Sequence, residues 1–206
     1  MSETPNPRRR ARTPILVVVL ALGLSGCTKE EAPMRATDTH YARDTLVEQL
    51  VWVDAQLDAA ITASEVTEGW VAPFGEFAVP WDASPQHRVD VLGSLLPQGC
   101  GLGGQLMQDL VVSDAPDPFG AAARVRAAWE AGGWSVSDVY GSSEPSMEYF
   151  RADREDGAVM SLDADDTGII LRVRSPCSAH RSVTNPTEDL SERDAFLEEI
   201  RTRESS

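Results

Sequence analysis

Among the residues that could do nucleophilic, metal or phosphate chemistry, this 206-residue chain has three cysteines, three histidines and one lysine. The lysine is Lys29, far toward the N-terminus, so the sequence that follows holds no SxxK acyl-enzyme site, no Schiff-base lysine and no GK[ST] phosphate loop. His40, His87 and His180 stand far apart, and none has the spacing of a metal ligand set. Asp163, Asp165 and Thr167 before Gly168 imitate the start of a calcium loop, but Arg174 occupies the position of the bidentate glutamate. That segment therefore reads as a hairpin turn. Gly99 to Gly104 precedes a strand and does not lead into a helix, so it reads as a turn and not as a phosphate cradle. No G-x-S-x-G elbow is present, and the 33 acidic residues are too many to single out a glycosidase pair. A catalytic Cys100 with His87 or His180 would require a free thiol. The expectation is no cofactor and no metal.

The N-terminus speaks to address. Arg8, Arg9, Arg10 and Arg12 precede an apolar run from Ile15 to Leu22, which leads to Leu24-Ser25-Gly26-Cys27. This is the layout of a secretory signal. The apolar run is about half of the roughly 20 residues needed to cross a bilayer. Leu24 to Cys27 resembles the lipobox of bacterial lipoproteins, and the resemblance implies cleavage before Cys27 and a diacylglycerol thioether on its sulfur. Acyl chains of that kind anchor a protein at about 0.8 kcal/mol per buried CH₂. The consecutive arginines leave twin-arginine export open beside the general secretory route. With Cys27 assigned to lipid, Cys100 and Cys177 are left as a pair in an oxidising compartment, where a disulfide is expected. The loop it would close is worth about 4 to 5 kcal/mol in the chain-entropy model.

Four domains of sequence follow: a signal peptide over 1–26, a lipidated tether over 27–40, one α+β domain over 41–180 and an acidic tail over 181–206, weakly helical or disordered. The whole chain carries 18 basic and 33 acidic residues; without residues 1–26 these fall to 14 and 32, a net of −18. A surface so acidic repels phosphate backbones and anionic headgroups, which argues against nucleic acid and leaves the lipid as the hold on the membrane. Thr28 to Thr39 reaches at most about 40 Å when extended, so the domain would work close to the membrane.

Within the domain, Leu46, Leu50, Val53, Leu57 and Ile61 recur at helical steps over about Ala42 to Ala63, and Thr45 with Glu48 fits a capping box. Glu65 to Gln98 has no sustained period but is rich in aromatics and prolines; Trp70, Phe74 and Trp81 are its candidate ligand contacts, with core packing as the competing role. Gln105 to Val112 predicts a strand, and Asp117-Pro118 opens a helix that stops at Gly132-Gly133. Trp134 to Tyr140, Met147 to Arg154, Ala158 to Leu162 and Ile169 to Arg174 predict four more strands.

If Cys100 and Cys177 lie together, the first and last of these strands pair. The expected fold is then a five-stranded, mainly antiparallel sheet of order 2-3-4-5-1, numbered from Gln105, with one or two helices on one face and the disulfide stapling neighbouring strands. Tyr149, Arg151, Ser161, Asp163, Arg172 and Arg174 would share the opposite face, where the arginines could bind an anion but are expected to pair with carboxylates such as Asp163. The whole pattern also resembles small actinobacterial cell-envelope lipoproteins of unknown function, through Trp70 to Pro73, the cysteine before the first strand, Gly133-Trp134 and Ser175 to Cys177.

The function expected is that of a membrane-anchored, extracytoplasmic, non-catalytic domain that binds an envelope protein or small ligand near the membrane. The alternative is an envelope hydrolase using acidic residues near the 65–98 segment, and a purely structural component is a third class.

Overall fold

In the computed structural model, which describes residues 42–75, 77–81, 84–139, 146–187 and 190–203, helix α1 spans Leu46–Ser64. The signal segment, the tether with Cys27, and His40 lie outside the described residues, all of which fall in one unit from Thr39 to Ser206. Thr45 Oγ1 accepts from the Glu48 N–H at 3.2 Å and Glu48 Oε2 accepts from the Thr45 N–H at 2.7 Å. This reciprocal cap starts the helix at Leu46, a turn later than Ala42. Leu46, Leu50, Val53 and Leu57 form its buried stripe.

The aperiodic stretch resolves into β1 (Val71–Phe74), β2 (Phe77–Pro80) and α2 (Pro85–Ser94), whose cap is the Ser84 hydroxyl. A ribbon of two short strands follows, β3 (Gln98–Cys100) and β4 (Gly103–Gln105), before β5 (Met107–Ser113). Asp117 caps α3 (Pro118–Ala131) through the Gly120 N–H at 3.1 Å, and β6 (Ser135–Asp138), β7 (Met147–Asp153), β8 (Val159–Asp165) and β9 (Gly168–Arg174) complete the sheet. Two helices end the chain, α4 (Arg181–Thr184) and α5 (Leu190–Arg203).

The fold is α+β with an antiparallel sheet, but the expected count and order are corrected: the sheet has seven strands, in the order β2-β1-β5-β9-β8-β7-β6, because β1 and β2 join beyond β5 the five that were expected. The hairpin β1–β2 adds itself to the edge of β5. Each of its strands has only four residues, too few to make a visible alternation among the prolines. Ile169, Leu171 and Val173 of β9 lie buried with Met160, Leu162 and Phe150 beneath α1 and α3. Gly168 shows how closely β9 meets β5: a Cβ there would stand 2.2 Å from the Val112 carbonyl oxygen, at a φ of +158°.

Cys100 and Cys177 are joined in a disulfide, Cα to Cα 6.0 Å. It does not staple β5 to β9, however. It ties the β3–β4 ribbon to the chain beyond β9, where Gly104 and Ser178 also exchange backbone hydrogen bonds of 2.9 and 2.8 Å. Nor does the domain stop at residue 180: Phe196 and Ile200 of α5 are buried, and α5 packs against α2 and α1.

Candidate functional site

Of the three aromatics singled out by sequence, the structure leaves one able to meet a ligand. Trp70 is 1% exposed and its indole N–H donates to the Val66 carbonyl at 2.7 Å; Trp81 is 2% exposed and donates to Asp58 at 3.3 Å. Both are core. The Arg88 guanidinium covers Trp81, 4.9 Å from its ring centre, and binds Asp54 at 2.6 Å and Asp58. Burial alone would lower the Arg88 pKa, but its bonds to Asp54 and Asp58 raise it. Asp54 and Asp58, the acids of α1 beside Trp81, are therefore tied to a cation. Phe74, by contrast, is half-buried and lines a groove.

That groove has a topological cause. β1 runs beside β5 but pairs with it in register at a single position, Val71 opposite Val111, and two residues further on Pro73 has no N–H to donate. The space that opens is about 390 Å³. Pro73 and Phe74 form one wall, Leu95, Leu96 and Pro97 a second, and Met107 to Asp109 of β5 the third. Leu96 is 67% exposed, beyond the end of α2, so the wall is apolar and open to water. Asp109 is the one carboxylate among the lining residues, and both its oxygens are taken by Arg172, at 2.7 and 2.6 Å. The bond to Asp109 raises the Arg172 pKa against the effect of its burial.

The open sheet face carries the expected polar set with different partners. Arg172 stands directly opposite Asp109 in the ladder, which is why it does not pair with Asp163. Asp163 lies between Tyr149 and Ile170 in register, and partial burial, then the Asp165 charge, push its carboxyl pKa up. Arg151 pairs with Asp153 at 2.6 Å. Arg174 faces Met107 and Val159 in register, its Nη2 3.8 Å from the Met107 sulfur, and its buried Nε has no acceptor.

A thiol nucleophile is excluded at Cys100, whose sulfur is in the disulfide. His180 Nδ1 accepts from the Ser182 N–H at 3.2 Å, and His87 Nδ1 is buried without a partner. The calcium-like segment is a hairpin turn: the Thr167 hydroxyl, the Thr167 N–H and the Gly168 N–H all donate to Asp165, and with the hydroxyl bond first among them they lower its pKa. Among the described residues no three His, Cys, Asp or Glu side chains gather to hold a metal, and no helix is long and apolar enough to cross a membrane.

Sequence reasoning missed the Leu95 to Pro97 wall and the Trp52, Trp134 and Arg154 stack, in which the guanidinium lies 5.3 and 5.0 Å from the two ring centres. The first had a signal, two leucines directly ahead of a proline in an aperiodic stretch. The second had none, because it joins α1 to the residues just before β6 and just after β7.

No family model matches the chain, and no curated protein matches it. Among solved structures, the chain is similar to the crystal structure of a DUF4853 family protein from Actinomyces odontolyticus, with 12% identity over 66% of this chain and 70% of that one. The TM-score is 0.41, too low to carry an argument about fold or function.

Proposed function

We propose that this protein is a membrane-anchored, extracytoplasmic lipoprotein, held by lipid on Cys27, whose domain binds an envelope protein or small ligand near the membrane without chemistry of its own. The carrying observation is the water-open groove of mixed polar and apolar lining at Phe74 and Leu96, whose single carboxylate is already neutralised by Arg172. The lipobox resemblance supports the address. A disulfide that closes the fold also supports it, since such bonds persist in oxidising compartments.

The test is to purify the protein from its own envelope and identify by mass spectrometry what stays bound, comparing wild type with Phe74→Asp and Cys27→Ala. Recovery of one partner or ligand that Phe74→Asp loses is the expected result. Recovery of nothing above the Cys27→Ala control would overturn the binding half.

The hydrolase reading draws support from the number of acids around the 65–98 segment, but Asp54, Asp58 and Asp109 are each held by an arginine. It stands only if the purified protein releases soluble fragments from envelope glycan and Asp109→Asn abolishes that release.

A further inference from the structure

We propose that the outer strand of the disulfide-tied ribbon lies on the bilayer surface, with Leu96 and Leu102 reaching between the headgroups, so that the domain turns one fixed face to the membrane. The inference rests on the proposed membrane address and adds the orientation of the domain upon it.

The first support is the charge of the segment. Val91 to Gln108 contains no charged residue, in a chain where 25% of residues are charged. Ser175 to Ala179, whose Ser178 lies beside Gly104 of β4, contains no Asp, Glu, Lys or Arg either. A chain of net charge −15 is repelled by anionic headgroups, so it can approach them closely only through a face without carboxylates. The ribbon supplies that face.

The second support is what the ribbon exposes. Leu102 at its tip is 84% exposed and Phe77 is 77% exposed; with Leu96, just ahead of β3, these are the three most exposed large apolar side chains among the described residues. Phe77 stands opposite Phe74 in the β1–β2 pairing, and Phe74 shares the groove lining with Leu96. Among the described residues β3 pairs with β4 alone, so its other edge is open. Between the two leucines Gln98, Gly99 and Gly101 are exposed, and the glycines have no side chain to hold the backbone off a surface. Unpaired peptide groups cannot enter hydrocarbon, so the β3 backbone would stay in the wetted headgroup layer while the leucines reach past it.

The third support is where the chain from the anchor meets the domain. Ala42 bridges Ser178, and Ser178 bridges Gly104. Two strand spacings of roughly 4.8 Å put Ala42 about 10 Å from β4. Residues 28–41 separate Ala42 from Cys27, a span of at most about 50 Å. The covalent path from the lipid therefore joins the domain beside the ribbon, and the Cys100–Cys177 bond ties β3 to the segment that Ala42 bridges. A tethered domain is already concentrated over the bilayer, so a few apolar side chains suffice to bias its orientation.

The test uses protein isolated from its native membrane, with the lipid on its Cys27 peptide verified by mass spectrometry. It is reconstituted in phosphatidylcholine vesicles with or without bromine on the acyl chains. Leu102→Trp should lose about twice as much fluorescence to brominated lipid as Val51→Trp, a change at an exposed position of α1. Hydrogen exchange over residues 95–106 should slow about threefold on vesicles. Leu96→Asp/Leu102→Asp should cancel that slowing and leave the melting temperature unchanged, because both side chains are already exposed. Added salt should not reduce the quenching, as an apolar contact requires. Equal quenching in Leu102→Trp and Val51→Trp, or exchange that vesicles do not slow, would overturn the proposal. So would slowing that appears without vesicles and grows with protein concentration, since a second copy of the chain would then cover the ribbon. If the native protein carries no lipid, the anchor reading fails by itself. The chain from Cys27 is then coupled through that thiol to a maleimide lipid, and the same two readouts decide the ribbon contact.

Discussion

Replacing Cys100 and Cys177 together by alanine removes a cross-link whose partners are 77 positions apart in sequence. The chain-entropy relation for a loop of that length gives about 15 cal/mol/K, or about 4.5 kcal/mol at 25 °C. At about 2 to 4 °C per kcal/mol for a domain of this size, the melting temperature should fall by about 10 to 18 °C. The ribbon should not detach while the rest stays folded, because Gly104 and Ser178 exchange backbone bonds and Gln49 Nε2 donates to the Pro176 carbonyl at 2.8 Å. Circular dichroism melts of oxidised wild type, reduced wild type and the double variant test this. Reduced wild type and the variant should lose the same amount in one cooperative step. A shift under 3 °C, or a second early transition confined to the variant, would refute the loop-closure reasoning.

Gly168→Ala should cost at least about 2 kcal/mol in urea denaturation, since its Cβ would press on the Val112 carbonyl at a φ that side chains avoid. Arg88→Met leaves Asp54, only 15% exposed at its side chain, without its cation and should cost about 1 to 2 kcal/mol, part of which Arg88→Met/Asp54→Asn should restore. Asp163 has a folded pKa above its unfolded value, so its ionisation opposes folding once the pH passes the unfolded pKa, and more fully above the folded one. Asp163→Asn should therefore raise the melting temperature modestly at pH 7 and have no such effect at pH 3; a destabilised variant at pH 7 would contradict the burial argument.

Features governed by neighbours in sequence were legible in advance. The Thr45 and Glu48 cap, the Asp117-Pro118 start of α3 and the Asp165 turn are local hydrogen-bond patterns written in three or four residues. The long strands β7, β8 and β9 declared themselves by alternation between turns. What escaped depends on distant contacts. β1 and β2 are four residues each and acquire strand character from pairing, so the segment that frames the groove carries no period of its own. α5 has a weak apolar stripe, and its place is set by α2, where Gly93 lets Leu197 approach a notional Cβ to 3.3 Å. The Arg172 partner turned on register: with Asp109 directly across, Asp163 was out of contention. Phe74 was the informative member of the aromatic set: it sits at the end of β1 and lines the groove, whereas Trp70 and Trp81 flank the hairpin and turn into the core.

The proposed address bears most directly on residue 27. Mass spectrometry of the N-terminal peptide from protein isolated out of its native membrane should find a chain that begins at Cys27 and carries diacylglycerol on the sulfur. A polypeptide that still begins at Met1, or a peptide that runs through Leu24 to Thr28 with an unmodified cysteine, would contradict it.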